Sequence, residues 1–140
     1  MEEVTLTPLP SDTRARELWL QHAIGVELMR RMRQYALDRI PAAASEDARQ
    51  VAVRAVDDTL YGLMQLVDGF APPLQNDAHK LFVDVVGRLV DVATGKVVAA
   101  QSLHDGDGAC TGVHLWLDRA FEPAPATPIP PFTPRAPATR

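Results

Sequence analysis

Between residues 49 and 70 the apolar positions recur with a helical period. On a wheel advancing about 100° per residue, Ala52, Val53, Val56, Leu60, Leu63, Met64, Leu66, Val67 and Phe70 share one broad arc. Gln50, Arg54, Asp57, Asp58, Gln65 and Asp68 fall opposite. Such an arc predicts a helix with one face in a core. Ser45 is placed to accept from the first free N–H groups, and Glu46 and Asp47 put negative charge on the positive end of the helix dipole. Gly69 can close the helix in the left-handed conformation, and Pro72-Pro73 forbids continuation. This helix is expected to be the main contributor to the core.

A second arc precedes it. Leu18, Trp19, Ile24, Val26, Leu28, Met29, Met32 and Tyr35 spread over one side, with Arg16, Glu27, Arg30, Arg31 and Gln34 outside. Ser11 or Asp12 caps this helix and Pro41 stops it near Arg39 or Ile40. His22 falls inside the apolar arc and reads as a hydrogen-bonded or boundary histidine. Arg30, Arg31 and Arg33 read as a solvated basic helix end. The short link Pro41–Ser45 makes the two helices neighbours in a helical hairpin.

After Pro72-Pro73 the period changes. His79–Val92 and Val97–Leu103 are rich in β-branched residues, and the Asp91–Lys96 turn with Gly95 between them is a hairpin signal. Gly87 is a candidate bulge. Residues 110–121 fit a helix, with Cys110, Val113, His114, Leu117 and Phe121 on one side, or a strand, with Val113, Leu115 and Leu117 alternating. The helix, capped by Asp107, is the reading taken.

The predicted fold is α+β. An extended arm (1–10) leads into one domain (11–121). That domain holds a helical hairpin packed on a β-hairpin or small antiparallel sheet, then a C-terminal helix. From Glu122 onward, seven of nineteen residues are proline, and this stretch (122–140) is expected to be an extended or disordered tail.

Composition narrows the function classes. The net charge of -4 argues against general nucleic-acid binding. Cys110 is the only cysteine, which excludes an intrachain disulfide and a Cys-rich zinc site. The acidic Met1-Glu2-Glu3 start lacks a signal-peptide pattern, and no apolar run is long enough to span a membrane. A cytoplasmic protein without cofactors is expected. Twelve Arg against two Lys suggest a GC-rich bacterial genome.

One constellation bears on chemistry: His104, Asp105, Asp107, His114 and Asp118. Two carboxylates in a Gly-rich turn resemble the opening of a calcium loop. Ala109, Cys110 and Trp116 then stand where that loop needs an oxygen ligand, a glycine and a bidentate Glu. His114 and Asp118 are spaced i,i+4, a spacing that can hold a metal on a helix. The turn-and-cap reading without metal is preferred. Cys110 could act as a nucleophile only if His104 or His114 met it in space.

Leu66-Val-Asp-Gly69 closing a helix, the hairpin after it, and His114-Leu-Trp-Leu-Asp-Arg-Ala-Phe121 resemble small uncharacterised bacterial proteins over residues 56–121. The resemblance implies an α+β domain and brings no catalytic residues.

Two function classes follow, with a third beside them. The preferred one is an interaction or accessory module without catalytic activity. The alternatives are a small metal-dependent or hydrolytic enzyme built on the His104–Asp118 region, and a small-ligand-binding module with its pocket between the helical layer and the ribbon. The first helix carries an apolar arc of about 220°, well beyond the roughly 100° that a surface helix needs. The excess predicts a homodimer with Trp19, Met29, Met32 and Leu37 at its interface. The competing expectation is that the ribbon, the last helix or the arm covers them.

Overall fold

The structure, a computed structural model, describes residues 3–137. Met1, Glu2 and the last three residues of the proline-rich stretch lie outside them.

The first predicted helix begins as α1, Thr13–Glu27, with the Asp12 carboxylate accepting from Ala15 N at 2.9 Å. It runs without a break through a π-helical segment, Leu28–Arg33, into α2, Gln34–Leu37. The wider π turn brings Met29 and Arg33 inward together, and both are fully buried. α3, Glu46–Asp68, has the expected ends. Ser45 Oγ accepts from Ala48 N, and Gly69 closes the helix at φ 73°.

Among the described residues the β structure consists of two antiparallel strand pairs and an isolated bridge between Gln75 and Lys80. β2 (Val86–Val90) pairs with β3 (Val97–Ser102). β1 (Thr5–Leu6) pairs with β4 (Ala126–Thr127). The irregularity in the ribbon falls between Leu89 and Val90, where Val97 and not Val98 opposes Val90, so the bulge is not at Gly87. Gly87 has another task. A Cβ there would stand 2.6 Å from Ile24 Cγ1, so glycine lets the ribbon lie directly on α1. His79–Val85 is irregular instead of forming the first half of a strand.

Residues 110–121 form a helix at their start: α4 is Ala109–Leu117. It is the centre of the molecule. α4 packs on α3 and on α1, while α3 meets the first helix at the π segment and α2. The core therefore gathers around Trp116, Val113 and Ala109, with Met29, Leu60, Met64 and Leu103 about them. Contact with α1 is close because Gly25 faces the indole. A Cβ there would stand 2.3 Å from Trp116 Cε2. α3 contributes Val53, Leu60, Met64 and Val67, but Leu66 and Phe70 of its predicted arc are exposed.

The expectation of a loose tail is corrected. Residues 123–137 lie along the body. Thr7 N donates to Pro125 O at 3.0 Å beside the β1–β4 pair. Arg119 donates to the carbonyls of Ile129 and Pro130. Thr133 N donates to Gln34 Oε1 at 2.8 Å, and Phe132 lies edge-on to Phe121 at 6.3 Å. Composition misled because it counts few large apolar side chains. Proline has little backbone freedom left to lose, and donors on the body satisfy carbonyls that have no ladder of their own. Of the arm expected at 1–10, Met1 and Glu2 lie outside the described residues, and Thr5–Leu6 is held by the same pairing.

The solvated basic helix end is corrected in part. Arg30 and Arg31 are exposed beside Glu27. Arg33 is fully buried. Its Nε donates to Asp57 Oδ1 at 2.6 Å, and its Nη1 donates to Thr133 O. Asp57, expected on a solvated face, is thus the counter-ion of a buried guanidinium.

Candidate functional site

The turn between β3 and α4 is shaped by Gly106 and Gly108, at φ 75° and 84°. Gly108 precedes α4 without a side-chain cap, so the expected cap by Asp107 is corrected. The cap comes from another element. The Asp68 carboxylate, at the end of α3, accepts from Ala109 N at 2.9 Å and from Cys110 N at 2.8 Å. Burial alone would push this carboxyl up. The Cys110 N–H, the His104 ring and the Ala109 N–H outweigh it and hold Asp68 below the ordinary carboxylate value.

The five residues of the sequence constellation have separate partners. His104 Nδ1 meets Asp68 Oδ1 at 3.0 Å, and that hydrogen bond raises its pKa. Asp107 pairs with Arg14. Asp105 is exposed and contributes its backbone carbonyl to buried Gln21, which also donates to Gly108 O. His114 is exposed against Tyr61, ring centroids 5.3 Å apart. Asp118 lies 3.1 Å from Arg135 Nε, close in charge but not aligned as a hydrogen bond. Among the described residues no group of three or more His, Cys, Asp or Glu is placed to hold a metal ion.

Cys110 does come near His104, through Asp68. Burial first, and then its hydrogen bond to the Asp68 carboxylate, push the thiol up to about 11. It is protonated at neutral pH, the opposite of what a nucleophilic cysteine needs.

His22 is buried at 2% exposure. Trp116 Nε1 donates to its Nδ1 at 3.0 Å, so the ring proton sits on Nε2, toward the backbone of Glu122. Burial lowers its pKa and keeps it neutral. The hydrogen-bonded histidine expected from the sequence is found, and its partner is an indole 94 residues away.

The surface proposed for self-association is corrected. Trp19, Met29 and Leu37 are at most 4% exposed within one chain; of the four, only Met32 is open, at 42%. Trp19 is held by the arm, its Nε1 donating to Thr7 Oγ1 at 2.8 Å. The competing expectation, cover from within the chain, is the one the structure supports.

Between the first helix and the ribbon, where a ligand pocket was one expectation, lies a groove of about 580 Å³ that the arm walls on its other side. Its floor is α1, with Trp19, Leu20, Ala23 and Ile24. One wall is Val4 and Leu6 of the arm with Pro125 and Ala126 of the tail. The other is the consecutive run Val85–Leu89. A run of neighbours in a wall means that the strand presents its edge, not one face. Among the described residues β2 pairs only with β3, and the backbone groups on that edge have no strand partner. Among the described residues, charged side chains reach the groove only as Glu27, Arg30 and Arg88. The arm and tail residues of its lining were not legible in the sequence, because they come from both ends of the chain.

Among the described residues no helix is long and apolar enough to cross a membrane. Compared with protein-family models, with curated proteins and with solved structures, the chain has no match.

Proposed function

We propose that the protein is a non-catalytic interaction module that holds an extended, apolar segment of another protein in the groove beside β2. One observation carries the reading: an apolar groove of about 580 Å³ whose wall is an unpaired strand edge. An extended segment laid there gains main-chain hydrogen bonds from β2 and places alternate side chains over Leu20, Ala23 and Ile24.

The volume also falls in the range of small-molecule pockets, roughly 300–1,000 Å³. Those pockets orient a ligand with convergent polar side chains. Here, beside the charged side chains of Glu27, Arg30 and Arg88, the groove offers backbone groups in a row along β2, which favours a peptide. The enzyme reading has less support. Asp107 and His104 are engaged with Arg14 and Asp68, and the Cys110 thiol is protonated.

Selection of short peptides from a random library on the immobilised protein tests the proposal. Sequences with apolar residues at alternate positions should be enriched. They should fail to bind Leu6→Glu, a change at a groove wall position that is 55% exposed and not needed by the core. A selection without such sequences, or binders indifferent to Leu6→Glu, would reject the reading.

A further inference from the structure

The ribbon has a second surface. Gly87, Leu89, Ala99 and Gln101 face α1, and Gln101 Nε2 donates to Glu17 O at 2.7 Å. An antiparallel ribbon with one face on a helix ordinarily turns polar residues to water. Here the outer face is apolar as well. Val86 and Val90 of β2 are 54% and 45% exposed, and the bulge sets Val97 and Val98 together opposite Val90, both 51% exposed. The connector leading into β2 continues the pattern, with Phe70, Leu74 and Phe82 at 70% exposure or more.

We infer that this face, the outer side of the β2–β3 ribbon with the connector before it, joins two copies of the chain in a two-fold dimer. Two arguments select a second copy as the occupant. The first is area. Ten large apolar side chains between Phe70 and Val98 are at least 40% exposed. They lie along the connector, the outer side of the ribbon and its turn. A standard interface takes about 800 Å² and roughly 20–30 residues from each partner, and the ribbon with its connector is a stretch of that size.

The second argument is charge. The whole chain carries -4. Residues 70–98 hold three Asp (77, 84, 91) against Lys80, Arg88 and Lys96, so this stretch is neutral. Two like-charged copies repel least where they are neutral. The face also carries both signs. Arg88 stands at mid-strand on the outer side, with no ion pair of its own among the described residues, while Asp84 and Asp91 flank β2. A two-fold operation can bring each copy's carboxylates to the other's guanidinium, as isologous contacts require.

Light scattering on the full chain at micromolar concentration tests this. The expected mass is twice 15.3 kDa. The double variant Val90→Lys with Val98→Lys should return it to 15.3 kDa with an unchanged far-ultraviolet circular dichroism spectrum. Phe82→Asp, on the connector and outside the ribbon, should do the same if the double variant fails to fold. Leu6→Glu should stay dimeric, which separates this face from the groove. A wild-type mass of 15.3 kDa overturns the inference and leaves the face to a different partner. A dimer that persists in the folded ribbon and connector variants overturns it too.

Discussion

Ile24 and Gly25 are neighbours on α1, and they look out on two layers that the chain completes differently. At Gly25 the helix gives up its side chain and the opposing helix supplies Trp116. At Ile24 the helix supplies the bulk and the strand gives it up at Gly87. Both contacts are close. Behind the first, α3, the arm and the tail close over the core until Trp116, Met29 and Met64 have no exposed surface. Behind the second, the ribbon is a single layer whose outer valines meet water. The difference shows that the apolar pattern of a segment says that it will be buried on a face, and leaves open whether its own chain does the burying.

The largest effects are expected on the closed side. Trp116→Ala removes the largest side chain at the centre of the core and should cost about 3–5 kcal/mol, read from urea denaturation. A cost below about 1 kcal/mol would mean that α4 is not the centre. Arg33→Ala comes next. It leaves Asp57 half-buried without its guanidinium and should cost about 3 kcal/mol, toward the low end for broken buried pairs because Asp57 keeps some contact with water. The tail ranks third. Phe132 sits between Arg33 and Arg119, 6.0 and 4.9 Å from its ring centroid. Phe132→Ala should cost about 1–2 kcal/mol, within the ordinary range for point changes, and a melting temperature equal to wild type would return the tail to the status of a spacer.

On the open side the same kind of change should do little. Val92, 101% exposed in the ribbon turn, can become Ser within about 0.5 kcal/mol when measured at the lowest usable protein concentration. A loss comparable to Phe132→Ala would show that this side is covered within one chain. The smallest effect belongs to His104, which is exposed over most of its side chain, so its contribution is screened. Its hydrogen bond to Asp68 raises its pKa above the usual 6.5. The stabilisation is therefore fully present below that value and is lost as pH rises through the raised one. His104→Gln should cost a few tenths of a kcal/mol at pH 5.5 and less at pH 8.5, and a larger cost at the higher pH would contradict the sign.

Local rules determined much of this protein from the sequence alone. Ser45, Gly69 and Asp12 cap helices by contacts within a few residues, so the ends of α3 and the start of α1 were legible, as was the Asp91–Lys96 turn of the ribbon. The α+β class followed from the change of period after Pro72-Pro73. Tertiary structure decided the rest, because the deciding partners are far apart in sequence. Asp68 caps α4 from 41 residues away, Asp57 meets Arg33 across 24, and Thr7 reaches Ala124 across 117. A wheel placed Asp57 and Asp68 among polar outer positions because it counts only their own helix. It gave Trp19, Met29 and Leu37 a free surface for the same reason. The groove is the extreme case. Its floor, edge and opposite wall come from the first helix, the ribbon and the two ends of the chain, and those are neighbours only once the arm and tail have paired.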